Sequence, residues 1–174
     1  DEVRCTSRRP ETRQAFAAKW SEALGVRVVT KGTIEDVVRG ADVIVGGTTS
    51  GEIVSREPWV KPGATFISLA RRELDPAGWS KMDKVVVDSW EFNMLQKDFR
   101  NTVQTGLFSR EQLHAEIQEL VVGAKKGRER ENERILIHTT GLVSQDVALA
   151  HFLYERALAK GRGIWLPAAT EVNG

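Results

Sequence analysis

This chain of 174 residues contains little cysteine and histidine and has no marked excess of either charge. Its one cysteine, Cys5, cannot form an internal disulfide, which favours a reducing, cytoplasmic setting. The 25 basic and 24 acidic residues nearly cancel, so no global field favours nucleic acid or an anionic membrane surface as a partner. We find no signal-like segment and no apolar run of the roughly 20 residues that a membrane-spanning helix needs. These absences argue against disulfide-rich, nucleic-acid-binding and membrane-embedded classes.

A metal site is also not indicated by the sequence. The three histidines, His114, His138 and His151, are isolated from one another and from Cys5, without the short spacings that zinc ligands show. His138 is the only one that ends a predicted strand. We interpret it as structural because the sequence identifies no acidic partner, and a catalytic role is the alternative. The sequence therefore predicts no bound metal.

The chain does contain short apolar segments that alternate with amphipathic ones. It is 41% hydrophobic and 28% charged, as ordinary globular proteins are. Spacings of three and four between apolar residues predict helices, and continuous β-branched runs predict strands. The predicted strands are 1–6, 26–30, 41–46, 64–69, 84–88 and 134–138, and the predicted helices are 10–24, 33–38, 89–99, 109–122 and 145–160.

The order of these elements predicts the fold class. Continuous apolar strands separated by helices indicate a parallel sheet covered on both faces. The order β-α-β-α-β-β-β predicts an α/β fold with a doubly wound, Rossmann-like and mostly parallel sheet that lacks its first strand. In the last helix we expect Val147, Ala150, Leu153 and Tyr154 to face inward. We expect the tail that follows this helix to lie on the surface.

The end of the first strand, Ser7-Arg8-Arg9, suits a phosphate monoester. Where a doubly wound sheet binds a dinucleotide, an acidic residue after its second strand meets a ribose hydroxyl, whereas arginine accommodates a 2′-phosphate. A guanidinium pairs with phosphate through a planar fork of donors, and backbone N–H groups at the start of the helix at Pro10 add a second attraction. The sequence therefore predicts NADP(H) in preference to NAD(H). Two exposed arginines without a ligand are the alternative.

A second candidate cofactor contact is the segment of small residues 46–51, which follows the predicted strand 41–46. Small residues let the backbone approach a cofactor closely, and the hydroxyl groups of Thr48, Thr49 and Ser50 can bond ribose or phosphate oxygens. A flexible turn is the alternative interpretation. Because the preceding strand reads as buried, we favour a cofactor contact.

Six segments occur in an order that is typical of one family. They are Val3–Glu11, Gly40–Val45 with Thr48–Ser50, Trp59–Ala64, Glu73–Asp75, Val85–Ser89 and Thr140–Ala148. In this succession the chain resembles the ornithine cyclodeaminase and mu-crystallin family over nearly its whole length.

The resemblance implies an NADP(H)-dependent oxidoreductase that acts on the C–N bond of an amino or imino acid, as amino-acid dehydrogenases and ketimine reductases do. An ornithine or lysine cyclodeaminase and a non-catalytic NADPH-binding protein of the mu-crystallin type are the alternatives. The family resemblance also implies a homodimer, with a dinucleotide-binding domain over residues 1–130. Residues 131–174 would return to a dimerising substrate domain. The family's substrate domain, glycine-rich phosphate loop and catalytic lysine are expected before Asp1, so no catalytic residue is assigned.

The resemblance also assigns positions around the cofactor. The 2′-phosphate site matches residues 7–9, the loop that lines the cofactor matches residues 48–50, and the turn near the nicotinamide matches residues 141–142. The predicted cofactor contacts are Ser7, Arg8, Arg9, Thr48, Thr49, Ser50, Leu69, Gly141 and Leu142. Cyclodeaminases carry a catalytic aspartate in a longer loop after the strand at 64–69, and this chain has none there. We predict instead that Arg71, at that strand end, binds a substrate carboxylate.

Overall fold

Seven short strands and six helices make up the described part of the chain, residues 1–166, in the computed structural model. The strands are β1 (Glu2–Cys5), β2 (Arg27–Thr30), β3 (Val43–Gly46), β4 (Thr65–Ser68), β5 (Lys84–Val87), β6 (Ala115–Glu116) and β7 (Ile135–His138). The helices are α1 (Pro10–Leu24), α2 (Ile34–Val38), α3 (Trp90–Leu95), α4 (Lys97–Gln104), α5 (Ile117–Val121) and α6 (Val143–Ala159). Short 3-10 helices cover Glu57–Trp59, Pro76–Lys81 and Arg110–Gln112.

The strands form two sheets, and every strand pair within residues 1–166 is parallel. β1 pairs with β2, and the larger sheet has the order β3-β4-β7-β5-β6. β7 is the last strand along the chain and lies between β4 and β5, with Leu136 opposite both Phe66 and Val85. This architecture confirms the predicted doubly wound, mostly parallel α/β fold.

The unpaired edges of β1 and β3 lie on either side of one cavity, at a position where a further strand could pair with both. No strand within residues 1–166 pairs with the free edge of β1 or of β3, and residues of both strands line one cavity of about 260 Å³. Val43 and Val45 of β3 are 60% and 61% exposed. A doubly wound sheet of order 3-2-1-4-5-6 has its first strand at this position, between its two halves. The larger sheet therefore begins at an open edge.

The hydrophobic core lies against the middle of the larger sheet. All four residues of β5 are buried, and Phe66, Val87 and Leu136 are at most 1% exposed. An aromatic cluster covers one end of this core, formed by Trp79, Trp90, Phe99 and Phe108. Continuous burial explains why these strands read as uninterrupted apolar runs rather than alternating ones.

Local signals account for the helix ends that the sequence predicts well. Pro10 occupies the first turn of α1, and Gly25 ends that helix in the left-handed conformation with φ of 62°. The hydroxyl groups of Thr33 and Ser89 accept from the backbone N–H groups of Asp36 and Phe92 and cap α2 and α3.

Two helix predictions are wrong in the region after β5. The predicted helix 109–122 is a 3-10 turn, the strand β6 and the short helix α5, because Ala115 pairs with Val86 at the edge of the sheet. The predicted helix 89–99 is broken at Gln96, whose backbone is extended, and α4 continues beyond it. Apolar spacing cannot distinguish a helix from a short edge strand that is followed by a helical turn.

The second unit begins at Gly141 and contains α6, whereas Asp1–Thr140 forms the first. The expectation that Val147, Leu153 and Tyr154 face inward is wrong within residues 1–166, since these side chains are 50–61% exposed. The physical reason is that α6 contributes no residue to the buried core. The predicted functional boundary between residues 130 and 131 stays a prediction, although β7 belongs to the first unit. Residues 167–174 of the predicted surface tail lie outside the described residues.

Candidate functional site

The carboxyl ends of β1, β3, β4 and β7 carry most of the residues predicted to bind the cofactor. The backbone N–H of Leu69 donates to the carbonyl oxygen of Gly46, and that of Thr139 donates to Ser68, both at 2.9 Å. These bonds keep the ends of β3, β4 and β7 side by side. The cavity between the sheets is lined by Thr6 after β1 as well as by Gly46. Ligands of open α/β sheets bind at this carboxyl edge.

Residues 7–9 lead from β1 directly into the first turn of α1. The Ser7 hydroxyl donates to the carbonyl oxygen of Arg9 at 3.0 Å, and Arg13 Nη1 donates to the Ser7 carbonyl at 3.1 Å. The side chains of Arg8 and Arg9 are exposed. Two guanidinium groups therefore stand at the amino end of a helix of 15 residues, where backbone N–H groups also attract anions. This arrangement can bind a phosphate at the protein surface.

The β3 loop, residues 47–54, follows β3 and contains the predicted cofactor contacts Thr48, Thr49 and Ser50. Its own hydroxyl groups organise it, since Thr48 Oγ1 accepts from the N–H of Ser50 at 3.2 Å. Ser50 Oγ in turn accepts from the N–H of Glu52 at 3.1 Å. Residues 47–52 of the loop are exposed. Because the hydroxyl oxygens of Thr48 and Ser50 accept these bonds, their O–H protons point elsewhere and can be donated to a ligand oxygen.

Glu73 is a buried acid behind the β3 loop, and its sequence context alone indicates no role for it. It is 1% exposed, and its Oε1 accepts from the backbone N–H of Thr48 at 2.6 Å. Its Oε2 has no hydrogen-bond partner within the described part of the chain. A Cβ on Gly46 would lie 2.7 Å from that oxygen, so only glycine fits there. The prediction that β3 is a buried strand is wrong, because Val43 and Val45 are exposed along its unpaired edge. The one sequence signal of this close approach is a glycine at the end of a strand.

His138 lies in a buried polar and aromatic pocket at the end of β7. Its Nδ1 is 3.0 Å from Ser68 Oγ, and its ring stacks near Phe99 with centroids 6.0 Å apart. The Trp79 ring lies closer, at 4.9 Å. Burial lowers the pKa of His138 to about 4, although the Asp88 carboxylate acts in the opposite direction. A neutral, enclosed imidazole matches the structural interpretation better than a catalytic one.

Asp88, at the end of β5, organises the turn that follows β7. One carboxylate oxygen accepts from the backbone N–H of Thr140 at 2.7 Å, and the other accepts from Asn93 Nδ2 at 2.7 Å. The side chain is 1% exposed. A buried carboxylate that accepts several hydrogen bonds holds its partners firmly. The turn after β7 is therefore held by a residue whose role is not evident from the sequence alone.

The segment after β4 contains the predicted cofactor contact Leu69 and the predicted substrate contact Arg71. The Leu69 side chain is 53% exposed, and its Cδ1 lies 3.9 Å from the position that a Cβ on Gly47 would take. The structure thus brings Leu69 next to the β3 loop. The Arg71 side chain is 67% exposed, and its Nη1 is 4.0 Å from Asp98 Oδ2. Such a loose, solvated ion pair leaves the guanidinium available to another carboxylate.

Gly141 and Leu142, the remaining predicted cofactor contacts, open the second unit. Gly141 has φ of 88°, in the left-handed region, and Leu142 immediately precedes α6 with an extended backbone. Their predicted position near the nicotinamide stays a prediction.

The chemistry available at the carboxyl edge fits a dinucleotide. Exposed guanidinium groups and a helix start suit a phosphate, and the β3 loop offers hydroxyl groups on a backbone without bulky side chains. Within residues 1–166, no group of three or more histidine, cysteine or acidic side chains is arranged to hold a metal ion. Among the same residues, no helix combines the length and apolar character needed to cross a membrane.

Comparison with known proteins identifies similar sequences and structures. The family model of the ornithine cyclodeaminase/mu-crystallin family matches residues 1–161. Delta(1)-pyrroline-2-carboxylate reductase of Bacillus cereus is 32% identical over 163 residues, which cover 90% of this chain and 50% of that protein.

Two solved structures are similar over nearly the whole chain. Thermococcus litoralis Delta(1)-pyrroline-2-carboxylate reductase, in complex with NADH and L-proline, superposes with a TM-score of 0.85 at 29% identity and covers 95% of this chain. An archaeal alanine dehydrogenase dimer with bound NAD superposes with a TM-score of 0.84 at 31% identity and covers 96%. The match covers 53% and 52% of those two chains. The chain thus spans about half the length of the relatives it matches.

Proposed function

The chain belongs to the ornithine cyclodeaminase/mu-crystallin family, and from this premise we propose that it is the cofactor-binding part of an NADP(H)-dependent oxidoreductase. The proposed reaction is at the C–N bond of an amino or imino acid. The observation that carries this proposal is the pair of exposed guanidinium groups of Arg8 and Arg9 between the end of β1 and the start of α1. The two similar solved structures contain NADH and NAD, so the preference for a 2′-phosphate depends on these arginines.

The physical case for NADP(H) is electrostatic. A 2′-phosphate carries up to two negative charges, and hydrogen bonds between charged groups are about twice as strong as neutral ones. An acidic residue at this strand end would favour a ribose hydroxyl and repel the phosphate. Ser7, Arg8 and Arg9 offer a hydroxyl group and two cations instead. They support NADP(H) as the cofactor.

The remaining residues have distinct proposed tasks. When bound, the nicotinamide supplies the chemistry of hydride transfer. Thr48, Thr49 and Ser50 bind the sugar through their hydroxyl groups, and Leu69 packs against the cofactor. Gly141 and Leu142 line the nicotinamide end. For the substrate, Arg71 binds a carboxylate.

A reductase or dehydrogenase is favoured over a cyclodeaminase by the short segment after β4. Residues 69–72 contain no aspartate that could serve the cyclodeaminase reaction. We further propose that the whole protein is a cytoplasmic homodimer. The dimer named for the alanine dehydrogenase structure supports the oligomeric state. The single, partly buried Cys5, whose thiol pKa is raised by burial, suits a reducing compartment.

The cofactor proposal is tested by titrating the purified chain with NADPH and with NADH while following nucleotide fluorescence. We expect tighter binding of NADPH, and we expect Arg8→Ala and Arg9→Ala each to weaken NADPH binding about 10-fold to 100-fold, the loss of one charged hydrogen bond. NADH affinity should change little. Arg27→Ala is the matched control, because it removes an exposed arginine at the amino end of β2, away from the carboxyl edge of the sheet. Equal affinities for both nucleotides, or arginine variants that bind NADPH normally, would overturn the assignment.

The reaction class needs a separate measurement. We expect oxidation of NADPH in the presence of a cyclic or α-imino acid. Ammonia release from ornithine or lysine without accumulation of reduced cofactor would identify a cyclodeaminase instead. Binding of NADPH without turnover of any such substrate by the whole protein would support the non-catalytic alternative.

A further inference from the structure

The β3 loop is attached along its length to two consecutive residues, Arg72 and Glu73, which lie just after β4. At its start, the backbone N–H of Thr48 donates to Glu73 Oε1 at 2.6 Å. In its middle, Arg72 Nη1 donates to the carbonyl oxygen of Gly51 at 2.8 Å. At its end, the N–H of Val54 donates to the Arg72 carbonyl oxygen at 2.9 Å. Three separate bonds thus determine where the loop lies.

The Glu73 backbone is itself immobilised, so its side chain is a fixed point. Ser55 holds the Glu73 carbonyl oxygen through both its N–H, at 3.0 Å, and its hydroxyl group. Leu74 forms an isolated parallel bridge with Ser55. The carboxylate passes so close to Gly46 that no other residue could stand there. Burial of a carboxylate is costly, and the bond to the loop satisfies one of its two oxygens.

Arg72 has the only left-handed backbone of a non-glycine residue within residues 1–166, with φ of 60°. This conformation is unfavourable for a residue with a Cβ. It directs the guanidinium to Gly51 and also to Asp98 of α4, with Nη2 at 2.9 Å and Nε at 3.1 Å from Oδ1. A non-glycine residue in this region often marks a functional site. The ion pair thus ties the loop to a helix of the core.

We propose that Arg72 and Glu73 are positioning residues that hold the β3 loop in the conformation that binds the cofactor. Their proposed role is exerted through the backbone of the loop rather than through a contact with the cofactor. Glu73 fixes the backbone of Thr48, and Arg72 fixes that of Gly51, so the hydroxyl groups between these points are presented in one arrangement. This inference rests on the proposed function for the identity of the ligand, but the ordering of the loop does not depend on it. An ordered loop binds its ligand at a smaller entropic cost than a mobile one.

The experiment compares Glu73→Met, which keeps the length of the side chain but removes the oxygen that accepts from Thr48, and Arg72→Gly with the unchanged chain. Amide hydrogen exchange is measured by NMR without nucleotide, and NADPH affinity is measured by titration. We expect the amides of Thr48, Ser50 and Glu52 to exchange at least 10-fold faster in both variants. We also expect NADPH binding to weaken at least 5-fold. Glycine accepts the backbone conformation of residue 72 without strain, so Arg72→Gly decides the matter if Glu73→Met does not fold.

Controls separate local release of the loop from general loss of stability. Glu22→Gln neutralises an exposed carboxylate near the end of α1, outside the loop, and should change neither readout. Amides of β4 report opening of the core and should exchange at the original rate in every variant. Unchanged exchange of the loop amides in both Glu73→Met and Arg72→Gly would overturn the proposal. If the unchanged chain binds neither NADPH nor NADH, the proposed function fails, while the exchange measurement still decides whether the two residues position the loop.

Discussion

Acidification from pH 7 to pH 5 should destabilise the first unit through one residue, His138. Its pKa is about 4 in the folded chain, against 6.5 for an ordinary histidine. The unfolded state therefore binds the proton more readily, and the stability contributed by the neutral imidazole is complete only above about pH 6.5. This stability is lost progressively as the pH falls towards 4. Linkage gives a loss of about 2 kcal/mol between pH 7 and pH 5.

Urea unfolding at pH 5, 6 and 7 measures this loss, with tryptophan fluorescence as the signal because Trp79 lies against the imidazole ring. His138→Gln keeps a group that can bond Ser68 but cannot titrate, so its stability should change little over the same interval. His151→Gln, at an exposed histidine of α6, should behave as the unchanged chain does. Carboxylates with lowered pKa values act mainly below pH 4.5 and do not confuse the comparison. Parallel pH dependence in the unchanged chain and in His138→Gln would refute the reasoning.

Three further predictions concern stability and use thermal or urea unfolding. Gly63→Ala should lower the free energy of unfolding by more than 2 kcal/mol, because φ is 81° and the new Cβ would lie 2.7 Å from the carbonyl oxygen of Glu131. Gly25→Ala, at a similar φ but in open space, should lower it by only about 1 kcal/mol. Equal losses in the two variants would contradict the role of the close contact. Trp79→Ala should cost about 3–5 kcal/mol, since the ring is buried among other aromatic side chains; a loss under 1 kcal/mol would show that this cluster is not part of the core. Ser89→Ala should cost about 1 kcal/mol through loss of the α3 cap, and no change in the midpoint of unfolding would mean that water replaces the cap.

The strands β3, β5 and β7 could be predicted because each contains a short apolar run. Lys84–Val87 is buried along its whole length, which is what such a run means in a sheet covered on both faces. Pairing between distant segments leaves no such mark. Nothing near Ala115 indicates that it pairs with β5, and the apolar spacing of its neighbours imitates a helix. The sequence therefore specifies the local elements well and the edge of the sheet poorly.

Some residues of the candidate site could likewise be predicted from the sequence, and others could not. Ser7–Arg9 could be located because a strand that runs directly into a helix carries them to the carboxyl edge. Their role as cofactor contacts stays a prediction. Glu73 could not be found because its burial results from contacts with a loop about 25 residues earlier, and an acidic residue normally lies at the surface. The contact between Glu73 and Thr48 is therefore visible only in the folded structure.

The position of β7 has a consequence for synthesis. This strand pairs on both sides, with β4 and with β5, and its last residue, His138, is 70 residues beyond Ser68, its neighbour in β4. A nascent chain therefore carries β4 and β5 as unpaired edges until residues 135–138 leave the ribosome. Exposed edges invite pairing with other chains, and contacts this distant in sequence form slowly. A translation stop before Ile135 would leave the sheet divided at its centre, so the yield of folded protein depends on the synthesis of β7.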